Sequence, residues 1–142
     1  MPETILKACV VDDDDLMQMV IRDYLISEGF SSVNAKSDIT HQCSFFKNRE
    51  TTCPKNEPCK NLLILDNRQV FSEGIQFLEY IDNIKCSCSR TFKILYTSDT
   101  ISRDSQKMLD ELGVRLVKKT MNHKEDLFPV VTAYRKWLKQ NH

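Results

Sequence analysis

The 142-residue sequence lacks an excess of either charge, with 20 Lys and Arg against 20 Asp and Glu and a pI near 6.8. Without surplus cations there is no general attraction to a phosphate backbone or an anionic lipid surface, so neither nucleic acid nor membrane is expected as a direct partner. Long hydrophobic runs are missing as well. The longest is about four residues, as at Leu62 to Leu65, where a spanning helix needs roughly 20. The opening Met-Pro-Glu-Thr has no basic region followed by an apolar one, so no secretory signal is expected and the cytoplasm is the expected compartment. Glycine and proline are few, at 3 and 4. No low-complexity tract, internal repeat or second domain stands out.

What is present is ordinary globular composition, 41% hydrophobic and 28% charged. A single domain over residues 1–142 is the natural reading, long enough to bury roughly 70% of its unfolded surface without help from metal or disulfide. Ala8-Cys9-Val10-Val11 is a short apolar run that stops at four aspartates, Asp12 to Asp15, and reads as a buried strand. From Leu16 the apolar residues fall at Met17, Val20, Ile21, Tyr24 and Leu25, one face of a helix that Glu28-Gly29 ends. The acidic run therefore lies on a strand-to-helix turn, with Asp14 and Asp15 where a helix N-terminus favours negative charge.

The pattern repeats along the chain. A weaker second strand is predicted over Ser32 to Ala35, with a helix near Ile39 to Lys47. Leu62 to Leu65 runs into Asp66, followed by a helical face at Ile75, Leu78 and Ile81. Phe92 to Tyr96 runs into Thr97-Ser98-Asp99, and Met108, Leu109 and Leu112 precede Gly113. Val114 to Val117 runs into Lys118-Lys119 before a last helix with Leu127, Val130, Val131, Tyr134 and Leu138. Such alternation predicts an α/β fold with an open parallel sheet covered on both faces. Residues 48–61 break the rhythm and read as a long loop before the third strand.

In a doubly wound sheet the ligand site lies beyond the carboxyl ends of the strands. Those ends carry Asp12 and Asp13, then Asp66, then Thr97 and Ser98, then Lys118. Carboxylates gathered there repel one another unless a cation joins them, and hard oxygen ligands suit Mg²⁺. A hydroxyl and an ammonium beside them would position and neutralise phosphoryl oxygens. One carboxylate must then attack as nucleophile to form an aspartyl phosphate. Asp66, alone at the end of a central strand, is the candidate.

These residues resemble the receiver domain of two-component response regulators, over nearly the whole chain. Lys7 to Asp13 resembles that family's first strand and acidic pair, and Leu62 to Asp66 the strand ending in its phosphorylated aspartate. Gly74 stands eight positions on, where the family has a loop glycine. Ile94 to Ser98 resembles the strand ending in Thr or Ser and a small residue, and Leu116-Val117-Lys118 the strand ending in the family's lysine. The resemblance implies a flavodoxin-like, doubly wound five-stranded parallel sheet of order 2-1-3-4-5 with five helices. It implies that Asp12 and Asp13 hold Mg²⁺ with Asp66 and the backbone carbonyl of Arg68, and that Thr97 and Lys118 contact the phosphoryl group. It also implies a histidine kinase or phosphotransfer protein as donor. The acyl phosphate would shift the loop and helix after Thr97 and change affinity for a downstream protein, which the sequence does not identify. With only a helix after the last strand, no output domain is expected.

The chain departs from that family in places. Lys119 stands where the family usually has a proline in a cis bond, Arg115 where it often has an aromatic residue three positions before its lysine, and Val70 where a proline is common. Lys119 is the alternative site lysine if the last strand is shifted by one. Two rival functions remain: a phosphorylation-independent interaction module on the same fold, and a haloacid-dehalogenase-type phosphatase using Asp12 and Asp14, which would leave Asp66 without a role. Of six cysteines, Cys9 reads as a small buried hydrophobe. Cys53, Cys59, Cys86 and Cys88 fall in two loops expected at the opposite edge of the sheet, where a structural Zn²⁺, disulfides or free thiols are the alternatives. His41, His123 and His142 show no ligand spacing.

Overall fold

A computed structural model describes residues 6–37, 62–66, 78, 92–98, 100–120 and 122–141. Five strands form one parallel sheet: β1 (Lys7–Val11), β2 (Ser32–Lys36), β3 (Leu62–Leu65), β4 (Phe92–Thr97) and β5 (Val114–Lys118). Their spatial order is β2-β1-β3-β4-β5, the expected flavodoxin-like arrangement. Three helices have described spans, α1 (Asp15–Ser27), α2 (Arg103–Glu111) and α3 (His123–Asn141), and Leu78 is a buried helical residue between β3 and β4. The helix predicted near Ile39 to Lys47, the predicted loop 48–61 and the helical positions predicted at Ile75 and Ile81 lie outside the described residues.

The local chemistry explains the boundaries. Asp14 caps α1, its Oδ1 accepting from the backbone N–H of Leu16 at 2.9 Å and of Met17 at 3.4 Å. Asp15 follows in the first turn. At the other end Gly29, at φ 100°, closes a Schellman motif in which Phe30 N–H reaches Leu25 O and Gly29 N–H reaches Ile26 O, both at 3.1 Å. Gly113, at φ 71°, takes the left-handed conformation after α2, its N–H reaching Asp110 O at 3.1 Å.

Central strands β1, β3 and β4 are buried almost throughout, as mostly apolar strands covered on both faces are, with Lys93 of β4 buried among its apolar neighbours. Ile21, Tyr24 and Leu25 of α1 and Leu127, Val131 and Tyr134 of α3 pack over Val10, Ile64 and Ile94 in one core. Tyr134 anchors it, stacked on Phe30 at 5.7 Å and on Trp137 at 6.0 Å between ring centroids. Cys9 is fully buried, as its place within β1 predicts.

Parallel register places all the strand C-termini along one edge. Val11 pairs with Lys36 and Leu65, Leu65 with Leu95, and Thr97 with Lys118. Asp12, Asp66, Thr97 and the start of the segment after β5 must therefore converge.

Candidate functional site

The convergence is a polar cleft of about 140 Å³ lined by Asp12, Asp13, Asp14, Met17, Asp66, Thr97, Ser98 and Lys119. Asp12 and Asp66 are each one residue past a strand and still tied to the ladder, Asp12 N–H to Lys36 O at 3.1 Å and Asp66 N–H to Val11 O at 2.9 Å. Both are nearly buried, at 2% and 8% exposure. The Asp12 carboxylate also accepts from Asp14 N–H at 2.9 Å. Its carbonyl accepts from Gln18 Nε2 at 2.8 Å, so the first turn of α1 holds this corner rigid. Asp13 is exposed beside them, and oxygens of Asp12, Asp13 and Asp66 lie within 4.8 Å of one another. Thr97, at 2% exposure, and Ser98 form the opposite wall.

Among the described residues, the cation lining the cleft is Lys119. Its Nζ lies 2.9 Å from Asp12 Oδ2 and 3.4 Å from Asp66 Oδ1, and 5.5 Å from the centroid of the Tyr96 ring. Lys118, the lysine expected from the sequence, is an exposed residue closing β5 and does not line the cleft. The reason is strand parity. Arg115 sits over the Phe92 ring at 4.6 Å and Val117 packs on the core, so alternate residues 115, 117 and 119 share the side that α3 covers. The ladder also runs one pair beyond the last apolar residue, through Thr97 opposite Lys118, and Lys119 N–H then bonds Thr97 O at 2.7 Å. The residue emerging at the edge is Lys119. Counted from it, the position three residues earlier is Leu116, 40% exposed, and Thr120 stands where the resembling family has its proline. No cis peptide bond occurs among the described residues.

Electrostatics in the cleft follow from burial and crowding. Burial pushes the Asp66 carboxyl above its ordinary value, Lys119 opposes that, and the charges of Asp12 and Asp13 reinforce it. For Lys119 burial works against the charge, yet the hydrogen bond and charge of Asp12, with those of Asp66, hold the ammonium above its usual range. The trio of hard, mutually repelling oxygens is a fitting donor set for a small divalent cation. It is the group of three or more metal-capable side chains found among the described residues. Arg68 and the cysteines Cys53, Cys59, Cys86 and Cys88 lie outside the described residues.

Sequence reasoning missed a second cluster that supports the first. Tyr96 Oη donates to Asp126 Oδ2 at 2.5 Å. Thr120 donates its N–H to Asp126 Oδ2 at 2.8 Å and its hydroxyl to Asp126 Oδ1 at 2.6 Å. Nothing in the spacing of Tyr96 and Asp126, 30 positions apart, signals that contact.

No protein-family model and no curated protein matches the chain. Solved structures do. The CheY-like response regulator receiver domain protein from Methanospirillum hungatei superposes with a TM-score of 0.72 at 19% identity, over 96% of this chain and 99% of that one. The chemotaxis response regulator CheY4 of Vibrio cholerae gives 0.68 at 17% identity, over 92% and 99%. The non-phosphorylated HemR receiver domain from Leptospira biflexa gives 0.65 at 17%, over 91% and 94%. The fold is therefore that of receiver domains. No described helix is long and apolar enough to cross a membrane.

Proposed function

We propose that this chain is a response regulator receiver that accepts a phosphoryl group on Asp66 from the phosphohistidine of a histidine kinase or phosphotransfer protein. The observation carrying the reading is the cleft itself, three carboxylates within 4.8 Å with the Lys119 ammonium bridging two of them. A structural-fold match alone would not carry it, because one fold hosts many functions.

Asp66 presents a carboxylate oxygen to phosphorus. The new O–P bond forms as the N–P bond of the donor breaks, and the departing imidazole keeps the electron pair and takes a proton. Asp12, Asp13 and Asp66, with the backbone carbonyl of Arg68, would hold Mg²⁺, whose charge neutralises the phosphoryl oxygens when bound. On the other side Thr97 offers a hydroxyl and Lys119, in place of Lys118, an ammonium. Once Asp66 is phosphorylated, Lys119 exchanges its carboxylate partner for a phosphoryl oxygen. That local change of charge biases the segments after Thr97 and Lys119 and so the affinity for a downstream protein. The protein acts in the cytoplasm as a phosphoacceptor in signalling, and it does not turn over a substrate.

Incubation with Mg²⁺ and phosphoramidate followed by intact-mass measurement tests this. One phosphoryl adduct, absent in Asp66→Asn, is the expected result. Steady phosphatase turnover that requires Asp12 would instead establish the dehalogenase-type reading, and a folded protein that takes no adduct would leave the interaction module.

A further inference from the structure

A lysine that must meet a transferred phosphoryl group needs a fixed backbone, and here the residue after it is Thr120, which lacks the constraint of a ring. The structure supplies another constraint. One carboxylate, Asp126 at the start of α3, receives three donors: the Tyr96 hydroxyl, the Thr120 N–H and the Thr120 hydroxyl. Thr120 is bonded directly to Lys119. Tyr96 is buried at 1% exposure, precedes Thr97, and carries the ring that lies 5.5 Å from the Lys119 ammonium. Further along, Asn122 N–H returns to Thr120 Oγ1 at 3.1 Å, and Glu125 N–H to Asn122 Oδ1 at 3.2 Å, so the same turn starts the helix that presents Asp126. Charge-assisted bonds of these lengths are the strong kind. Partial burial pushes Asp126 up, but the Thr120 and Tyr96 hydrogen bonds and the nearby His123 outweigh it and hold the carboxyl below the ordinary range.

We infer that Asp126 is a positioning residue for the site: by clamping Tyr96 and Thr120 it holds Lys119 against Asp12 and Asp66. The inference rests on the receiver reading for its purpose, since placing the ammonium matters if Lys119 contacts a phosphoryl group. Its physical content does not depend on phosphotransfer. With the clamp intact, the ammonium occupies the carboxylates and competes with a divalent cation. With the clamp removed, Lys119 is released, the cation meets less repulsion, and phosphoryl acceptance loses an aligned partner.

Asp126→Ala, Thr120→Val and Glu125→Ala are compared in the full chain. Thr120→Val deletes the hydroxyl and keeps the N–H, and Glu125→Ala removes a neighbouring exposed carboxylate outside the clamp. Mg²⁺ affinity is read by titration, and adduct formation with phosphoramidate by mass. For Asp126→Ala, Mg²⁺ should bind about fivefold more tightly, while the adduct should form about tenfold or more slowly. Thr120→Val should move both in the same directions by less, and Glu125→Ala neither. General loosening of the fold would weaken Mg²⁺ binding, so the opposed signs identify positioning. Folded Asp126→Ala with wild-type Mg²⁺ affinity, or with weaker affinity, overturns the proposal. A wild-type protein that takes no adduct sinks the receiver reading instead, and the Mg²⁺ comparison still decides the clamp.

Discussion

Replacing Lys119 by methionine removes the cleft's ammonium and keeps most of its length. The side chains it joins are nearly dry, at 16% exposure for Lys119, 4% for Asp12 and 10% for Asp66. Breaking a buried pair by deleting one member costs about 3–5 kcal/mol. The Coulomb term agrees, since carboxylates within 4.8 Å repel by about 3 kcal/mol or more at an effective dielectric of about 20. Asp66, already raised by burial, relieves part of this by taking a proton, so the lower end applies, about 3 kcal/mol at pH 7 without divalent cations. For a domain of this size that is a drop in Tm of about 10 °C. Lys118→Met, on an exposed strand end, should stay within about 0.5 kcal/mol of wild type. Urea unfolding in EDTA measures both, and repetition in excess Mg²⁺ should recover more stability in Lys119→Met than in wild type, because the cation meets no competing ammonium. Equal losses for the two variants, or a Lys119→Met protein as stable as wild type in EDTA, would refute the placement of the site lysine.

Other consequences are checked on the same footing. Because the Asp66 carboxyl is raised in the folded state, its ionisation opposes folding above that raised pKa, and the penalty fades as pH falls toward the unfolded value; Asp66→Asn should therefore raise Tm at pH 7, with the gain shrinking toward about pH 4. Asp126 is shifted the other way, so its stabilisation is present above the unfolded pKa and is lost as pH falls through the folded one. Asp126→Asn should cost stability at pH 7 and converge on wild type in acid, and a constant difference across the titration would count against the assignment. Gly29→Ala meets no steric obstacle, the nearest atom to an added Cβ being Arg135 Nη2 at 3.7 Å, but φ of +100° is strained for alanine. A loss of about 1–2 kcal/mol in chemical denaturation is expected. Asp14→Ala should lose about 1 kcal/mol through the α1 cap, without changing the Mg²⁺ affinity by more than about threefold.

Much of the fold was legible because the strands are buried on both faces. Ala8 to Val11 and Leu62 to Leu65 are continuous apolar runs, and Phe92 to Tyr96 is apolar but for Lys93; such runs announce central parallel strands without any need for alternation. The polar residue that ends each run is then a strand-end residue by construction, which is why Asp12, Asp66 and Thr97 were named correctly as neighbours in the cleft. At β5 this logic failed. It is an edge strand with the exposure pattern of one, Leu116 at 40%, and its last paired residue is Lys118 rather than Val117. Ending the strand with its apolar residues slipped the reading by one.

The order of strands and helices and the gathering of carboxylates at one sheet edge were determined by the sequence itself, since each depends on a local run and the polar group that stops it. Which lysine enters the cleft was decided by tertiary structure, because a one-residue change of register turns a strand's side chains to the other face. The clamp at Asp126 was decided there too. Its partners, Tyr96 and Thr120, come from a strand and a turn that only the folded sheet and α3 bring within hydrogen-bonding distance.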